Sequence, residues 1–129
     1  DMVGHTGSFQ AAVIAIETLD ISLARLLPVI DAARGVGLIT ADHGNADEMF
    51  EIDKKTGEPK KDAEGKPVAK TSHTLNPVPC IFYDNDPDYS VVAGEYGLAN
   101  VAATVVNLLG YEAPEMWERS MISMNGPQK

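Results

Sequence analysis

Residues 36 to 40, VGLIT, form a short, nearly continuous apolar run, and they follow a long stretch with a different rhythm. In that stretch Phe9, Val13, Ile16, Leu19, Leu23, Leu26, Leu27 and Ile30 recur at spacings of three and four, the period of one helix face. An apolar run without alternation suits a strand buried on both faces, as parallel sheets require, and a helix feeding such a strand predicts an α/β chain. Val78 to Tyr83 is a second buried-strand candidate, set between Pro77 and the turn-rich DNDPD. Leu98 to Leu109, with Val101, Val105 and Leu108 on one face and Gly110 behind, predicts a second amphipathic helix.

The boundaries carry their own signals. Thr6 or Ser8 can cap the first helix, and Gly35 offers its C-terminal stop. Pro28 is expected to kink it or to begin a new turn, because its ring removes a hydrogen bond from a helix interior. Residues 49–53, MFEID, and 68–70 are expected to form a small two-stranded excursion with turns near Thr56-Gly57 and Glu64-Gly65, so that 51–72 reads as a surface hairpin. Six of the seven lysines lie between Lys54 and Lys70, interleaved with Gly, Pro and acids and without aromatic residues. That pattern describes a solvated segment rather than a nucleic-acid surface.

Composition narrows the function classes. With 129 residues, 44% of them apolar and 22% charged, the chain can form one globular domain with a real core. A formal net charge of −9 disfavours nucleic acid and anionic membrane as partners and suits divalent cations. There is neither an apolar run of eighteen residues nor a secretory pattern, so a cytoplasmic location is expected. Cys80, inside PVPCIFY, reads as a small hydrophobe in a buried strand, and a single cysteine permits no internal disulfide. The chain opens at Asp1 directly onto MVGHTG, with no preceding strand to carry that loop, and is read as a piece of a longer protein.

All three histidines stand among small or polar residues, in VGHTG, ADHGN and TSHTL, and so on turns. Asp42 and His43 emerge at the carboxyl end of the VGLIT strand, where open α/β sheets place ligands, and Gly44 lets the backbone turn away beside them. Asp1 and His5 stand four apart, but Gly4 and Gly7 favour a loop that wraps a ligand over a helix face. Neutral imidazoles with carboxylates make a nitrogen and oxygen donor set suited to manganese or zinc, whereas calcium prefers oxygens alone. Each group also has a plainer role: a polar N-terminal turn for Asp1 and His5, an N-cap for Asp42, an exposed loop position for His73. Asp47 and Glu48 read as solvent-facing acids. Spacing alone leaves a candidate metal site.

Three stretches carry a closer likeness: DMVGHTG at 1–7, LITADHGNADEM at 38–49 and KTSHTLNPVPCI at 70–81, followed by YGLANVAATVVNLLGYEAPEMW. Together they resemble the C-terminal part of the phosphatase domain of the cofactor-independent (2,3-bisphosphoglycerate-independent) phosphoglycerate mutases, in the alkaline phosphatase superfamily. The resemblance covers essentially all of residues 1–129. It implies an alkaline-phosphatase-like three-layer α/β sandwich, of which this chain is a C-terminal fragment without the transferase domain or the N-terminal half of the phosphatase domain. It implies that Asp1, His5 and His73 hold one manganese ion and that Asp42 and His43 belong to a second, with no bisphosphoglycerate cofactor. The family's nucleophilic serine, which carries the phosphoryl group between the hydroxyls of glycerate, has no counterpart here. No serine of this chain matches its motif, so no catalytic residue is assigned, and substrate-binding residues stay unassigned.

The implied parent enzyme interconverts 3-phosphoglycerate and 2-phosphoglycerate in glycolysis and is expected to be monomeric. The piece by itself is expected to be inactive and to bind metal weakly, with self-association left open because absent segments would expose strand edges and apolar faces. A bare DHGN marks only the superfamily, so a phosphopentomutase or another metal-dependent phosphatase is the alternative enzyme, and a metal-binding module without catalysis is the alternative outside enzymes.

Overall fold

The computed structural model describes residues 1–125. The chain divides into two compact units, Asp1–Phe82 and a second from Tyr83 onward, each of which is built on its own logic.

The first unit begins with a single 3₁₀ turn, Gly4–Thr6, and continues into α1, Phe9–Ala32. Ser8 is the residue that caps α1, its hydroxyl accepting from the Ala11 amide at 3.4 Å, while the Thr6 hydroxyl bonds the Val3 carbonyl instead. The helix runs through Pro28 as one element rather than restarting there. Its C-terminus also departs from expectation. Arg34, not Gly35, takes the left-handed position, at φ 50°, while the amides of Arg34 and Gly35 close back onto Asp31 and Ile30 at 2.9 Å each. This is the Schellman arrangement, and a side chain occupies the place where glycine is least strained.

The predicted apolar face of α1 is helical in period but mostly open. Ala12 is the buried residue of this helix, whereas Phe9, Val13, Ile16, Leu19 and Leu26 are exposed. Periodicity records which face a helix is suited to bury, and among the described residues no layer covers this one.

Strand β1, Gly37–Thr40, lies where the VGLIT run predicts a strand, and it pairs with β2, Cys80–Tyr83. The expectation of burial on both faces fails for both. In β1 only Gly37 is buried, and in β2 Cys80 and Ile81 are exposed, so Cys80 is not the core hydrophobe predicted. The reason is the same as for α1: an apolar run records which residues are suited to burial, not what lies opposite them.

Between the two strands the chain makes an antiparallel excursion. Phe50 bridges Ala69, Ile52 bridges Pro59 and Lys61 bridges Pro67. Backbone bonds from Glu51 to Val68, Lys60 to Glu51 and Lys70 to Met49, at 2.7–2.9 Å, hold the segments side by side. Its lysines are mostly solvated, but Lys70 is half-buried and pairs with Glu48 at 2.9 Å.

In the second unit β3, Tyr89–Val91, runs antiparallel to β4, Ile122–Met124, and α2, Ala99–Leu108, packs against β4. Thr104 is fully buried: its hydroxyl donates to the Asn100 carbonyl at 2.8 Å and accepts from the Met121 amide at 2.9 Å. Asn100 adds a bond from its amide nitrogen to the Arg119 carbonyl at 2.8 Å. Gly110, at φ 82°, ends α2 as its position predicts. No helix among the described residues is long and apolar enough to cross a membrane.

Candidate metal centre

Three loops of the first unit meet at the carboxyl end of β1. The first is the turn from Asp1 to Gly7, which is tighter than the wrapping loop the glycines predict. The His5 amide bonds the Asp1 carbonyl at 3.2 Å, and the resulting spacing sets His5 Nε2 3.2 Å from Asp1 Oδ1. The second loop, directly after β1, carries Asp42 and His43. The third carries His73.

His73 completes a triangle. Its Nε2 lies 3.1 Å from Asp1 Oδ1 and 3.1 Å from His5 Nε2. Among the described residues this trio is the group of three or more acids, histidines or cysteines arranged to share a cation. An ion with bonds of about 2.1 Å spaces its ligands about 3.0 Å apart at right angles and about 3.4 Å apart in a tetrahedron. The three observed edges fall between those values, so the donor set fits a divalent ion in size as well as in chemistry.

The tautomers fit too. His5 Nδ1 lies 2.5 Å from the Thr71 carbonyl, an acceptor only, so Nδ1 carries the proton and Nε2 presents a lone pair to the triangle. His43 has the same device on its own loop, with Nδ1 3.2 Å from the Gly44 carbonyl. Its Nε2 stands 3.6 Å from both Asp1 Oδ1 and Asp42 Oδ1, and its ring stacks on His73 with centroids 3.6 Å apart. Asp42 and His43 thus border the triangle without joining it. Two donors are too few to hold an ion by themselves, and Asp42 remains open to solvent.

Crowding of the rings has an electrostatic result. His73 is held below the ordinary histidine pKa, first by lost hydration and then by the neighbouring His43 and His5, with Asp42 opposing. A lowered pKa favours the neutral imidazole, which is the form that can donate to a metal.

Glycines let these loops approach. A Cβ on Gly4 would fall 1.5 Å from Asn45 Oδ1, and one on Gly44 would fall 2.1 Å from Thr74 Oγ1. Gly44 therefore serves close approach of the third loop; its φ is not positive, so the reversal that the sequence suggests is not what requires glycine there. Asp47, exposed as the sequence predicts, also accepts from Thr74 Oγ1 at 2.8 Å and from Asn76 Nδ2 at 2.7 Å. The Asn76 bond is the main reason its carboxyl lies below the usual range. Its signal in the sequence was slight: one more acid in NADE.

A family profile described as the metalloenzyme superfamily matches residues 1–113. The chain belongs to the metalloenzyme superfamily. Within it, this metalloenzyme chain is 51% identical over 124 residues to a probable 2,3-bisphosphoglycerate-independent phosphoglycerate mutase of Leptospira interrogans, covering 95% of the chain and 22% of the relative. It is 49% identical over 129 residues to the 2,3-bisphosphoglycerate-independent phosphoglycerate mutase of Trypanosoma brucei brucei, covering 96% of the chain and 23% of the relative. Leishmania mexicana phosphoglycerate mutase, whose crystal structures were obtained at low cobalt concentration, superposes with a TM-score of 0.89 at 48% identity, over 96% of the chain and 23% of its own. The chain thus spans less than a quarter of the length of these relatives.

Proposed function

We propose that this metalloenzyme chain is the metal-binding portion of a cofactor-independent phosphoglycerate mutase, which interconverts 3-phosphoglycerate and 2-phosphoglycerate. The observation that carries the proposal is the triangle of Asp1, His5 and His73, flanked by His43 and Asp42, in a chain about half identical to such mutases. In this reading Asp1, His5 and His73 hold one manganese ion, while Asp42 and His43 supply part of the shell of a second. Ions so bound neutralise phosphate oxygens and lower the pKa of an attacking hydroxyl. The chain's own contribution is to aim the lone pairs. Thr71 and Gly44 carbonyls set the tautomers of His5 and His43, and lost hydration, followed by the neighbouring His43 and His5, shifts His73 toward its neutral form.

The nucleophilic serine and the substrate contacts lie outside these residues in this reading, so the chain alone does not turn over phosphoglycerate. The parent is a glycolytic, cytoplasmic, monomeric enzyme that acts on a small phosphorylated acid. The test is an assay of the full-length protein on 3-phosphoglycerate, with manganese and without bisphosphoglycerate. Turnover is expected, and it should vanish in His73→Ala and in Asp42→Ala while the fold is kept. Activity confined to a pentose phosphate would overturn the substrate, and unchanged turnover in either variant would overturn the ligand assignment.

A further inference from the structure

We infer that Asp47 is a positioning residue that locks the His43 loop to the His73 loop and thereby sets the separation of the two ions. This rests on the two-ion reading above. Asp47 lies at the far end of the loop that carries Asp42 and His43, whereas Thr74 and Asn76 follow His73 on the chain that returns from the excursion. One carboxylate oxygen, Oδ2, accepts from both Thr74 Oγ1 and Asn76 Nδ2. The backbones are joined at the same place: Thr74 donates its amide to the Gly44 carbonyl at 2.9 Å, in an antiparallel bridge. Gly44 is what allows this, because a Cβ there would strike both Thr74 Oγ1, at 2.1 Å, and Asp47 Oδ1, at 2.7 Å.

The arrangement clamps the residues that immediately follow each of the two histidines. His43 is followed at once by Gly44, and His73 is followed at once by Thr74, so the bridged pair is the pair of next neighbours. The rings then stack at 3.6 Å as a consequence of where their backbones are held. Asp47 itself is spent on Thr74 and Asn76 and is absent from the cation-sharing trio. Its effect on metal therefore passes through the two histidines one step removed, so about 10-fold, the low end of what direct partners of ligands contribute, is expected.

The experiment uses the full-length protein with manganese. Binding is followed by calorimetry, and ion separation by the spin-coupling signature of the manganese pair in electron paramagnetic resonance. Thr74→Val, which keeps the shape and removes the hydroxyl, is expected to weaken manganese binding about 10-fold and to alter the coupled signal. Thr74→Ser, which restores the hydroxyl, should return both toward the parent. Asn76 is exposed, so Asn76→Ala carries the same test should Thr74→Val fail to fold. His73→Ala serves as the control for the ligands. If His73→Ala loses metal while Thr74→Val and Asn76→Ala bind and couple like the parent, the clamp is refuted and the ligand reading stands. If His73→Ala binds like the parent, the ligand reading falls and takes the clamp with it.

Discussion

Replacing Gly4 with alanine isolates one contact on which the metal centre depends. A Cβ at this position would sit 1.5 Å from Asn45 Oδ1 and 2.7 Å from Asn45 Cγ, where an ordinary carbon to oxygen contact is about 3.3 Å. Asn45 is only 8% exposed, so the clash is relieved inside a packed site, by rotation of the Asn45 amide against its neighbours or by displacement of the turn carrying Asp1 and His5. Overpacking of this kind costs about 1–3 kcal/mol, or roughly 5- to 150-fold in any equilibrium that requires the packed loops. The backbone at Gly4 is not left-handed, so alanine adds no torsional strain to confuse the result. Manganese titration of full-length Gly4→Ala should show affinity lowered within that range, alongside a lower melting temperature. Asn45→Ala alone should be mild, since its side-chain oxygen has no hydrogen-bond partner to lose. In the double variant the clash is gone and affinity should recover, with a coupling of about 0.5–3 kcal/mol. A double variant no better than Gly4→Ala alone would refute the argument, as would a Gly4→Ala protein with parental affinity.

Other outcomes follow from the same structure. Thr104→Val leaves the Met121 amide without its acceptor inside the second unit and should destabilise the protein by about 1–3 kcal/mol in chemical denaturation. Arg34→Gly relieves a side chain at φ 50°, and should stabilise by about 0.5–1 kcal/mol; a lower melting temperature would show that the arginine makes a compensating contact. Acidification should weaken both stability and metal binding through His73. Its folded pKa is lowered, so between that value and the unfolded value near 6.5 the unfolded chain holds the extra proton, and stability is lost as pH falls through this window. Through His73, manganese affinity should hold from about pH 7.5 to about 6.5 and fall as pH drops below the lowered folded pKa, and that fall should be shallower in His73→Asn.

How far these features could be read in the sequence depends on whether their cause is local. The α1 period, the β1 run and the Gly110 stop are set by near neighbours, and each is found where the residues place it. The α/β class follows from their order. Burial is a property of what lies opposite, which is why Cys80, expected in a buried strand, is exposed. The left-handed position after α1 falls one residue before the expected Gly35, on Arg34, because it is fixed by the closing hydrogen bonds rather than by residue type. At the candidate metal centre the residues that converge, Asp1, His5 and His73, are marked in the sequence by type, as Asp and His on turns. The supporting contacts are not. Nothing in the spelling of Asp47, Thr74 and Asn76 marks them as partners across 27 and 29 positions, and a backbone acceptor such as the Thr71 carbonyl has no residue-type signature at all.

The antiparallel excursion has a consequence for how the centre assembles. His43 and His73 are separated by roughly 30 positions, yet the Lys70 to Met49 bond and the Phe50 to Ala69 bridge pinch the chain shut at the neck of the excursion. Once that neck has closed, the ring left to form between the two histidines contains only about 10 residues, which lowers its closure entropy by about 1 kcal/mol. Local antiparallel pairing of this kind forms in microseconds. The lysine-rich excursion, which contributes no ligand, thus acts as a zip fastener that delivers His73 to its place, and its far tip is free to vary in length without disturbing the centre.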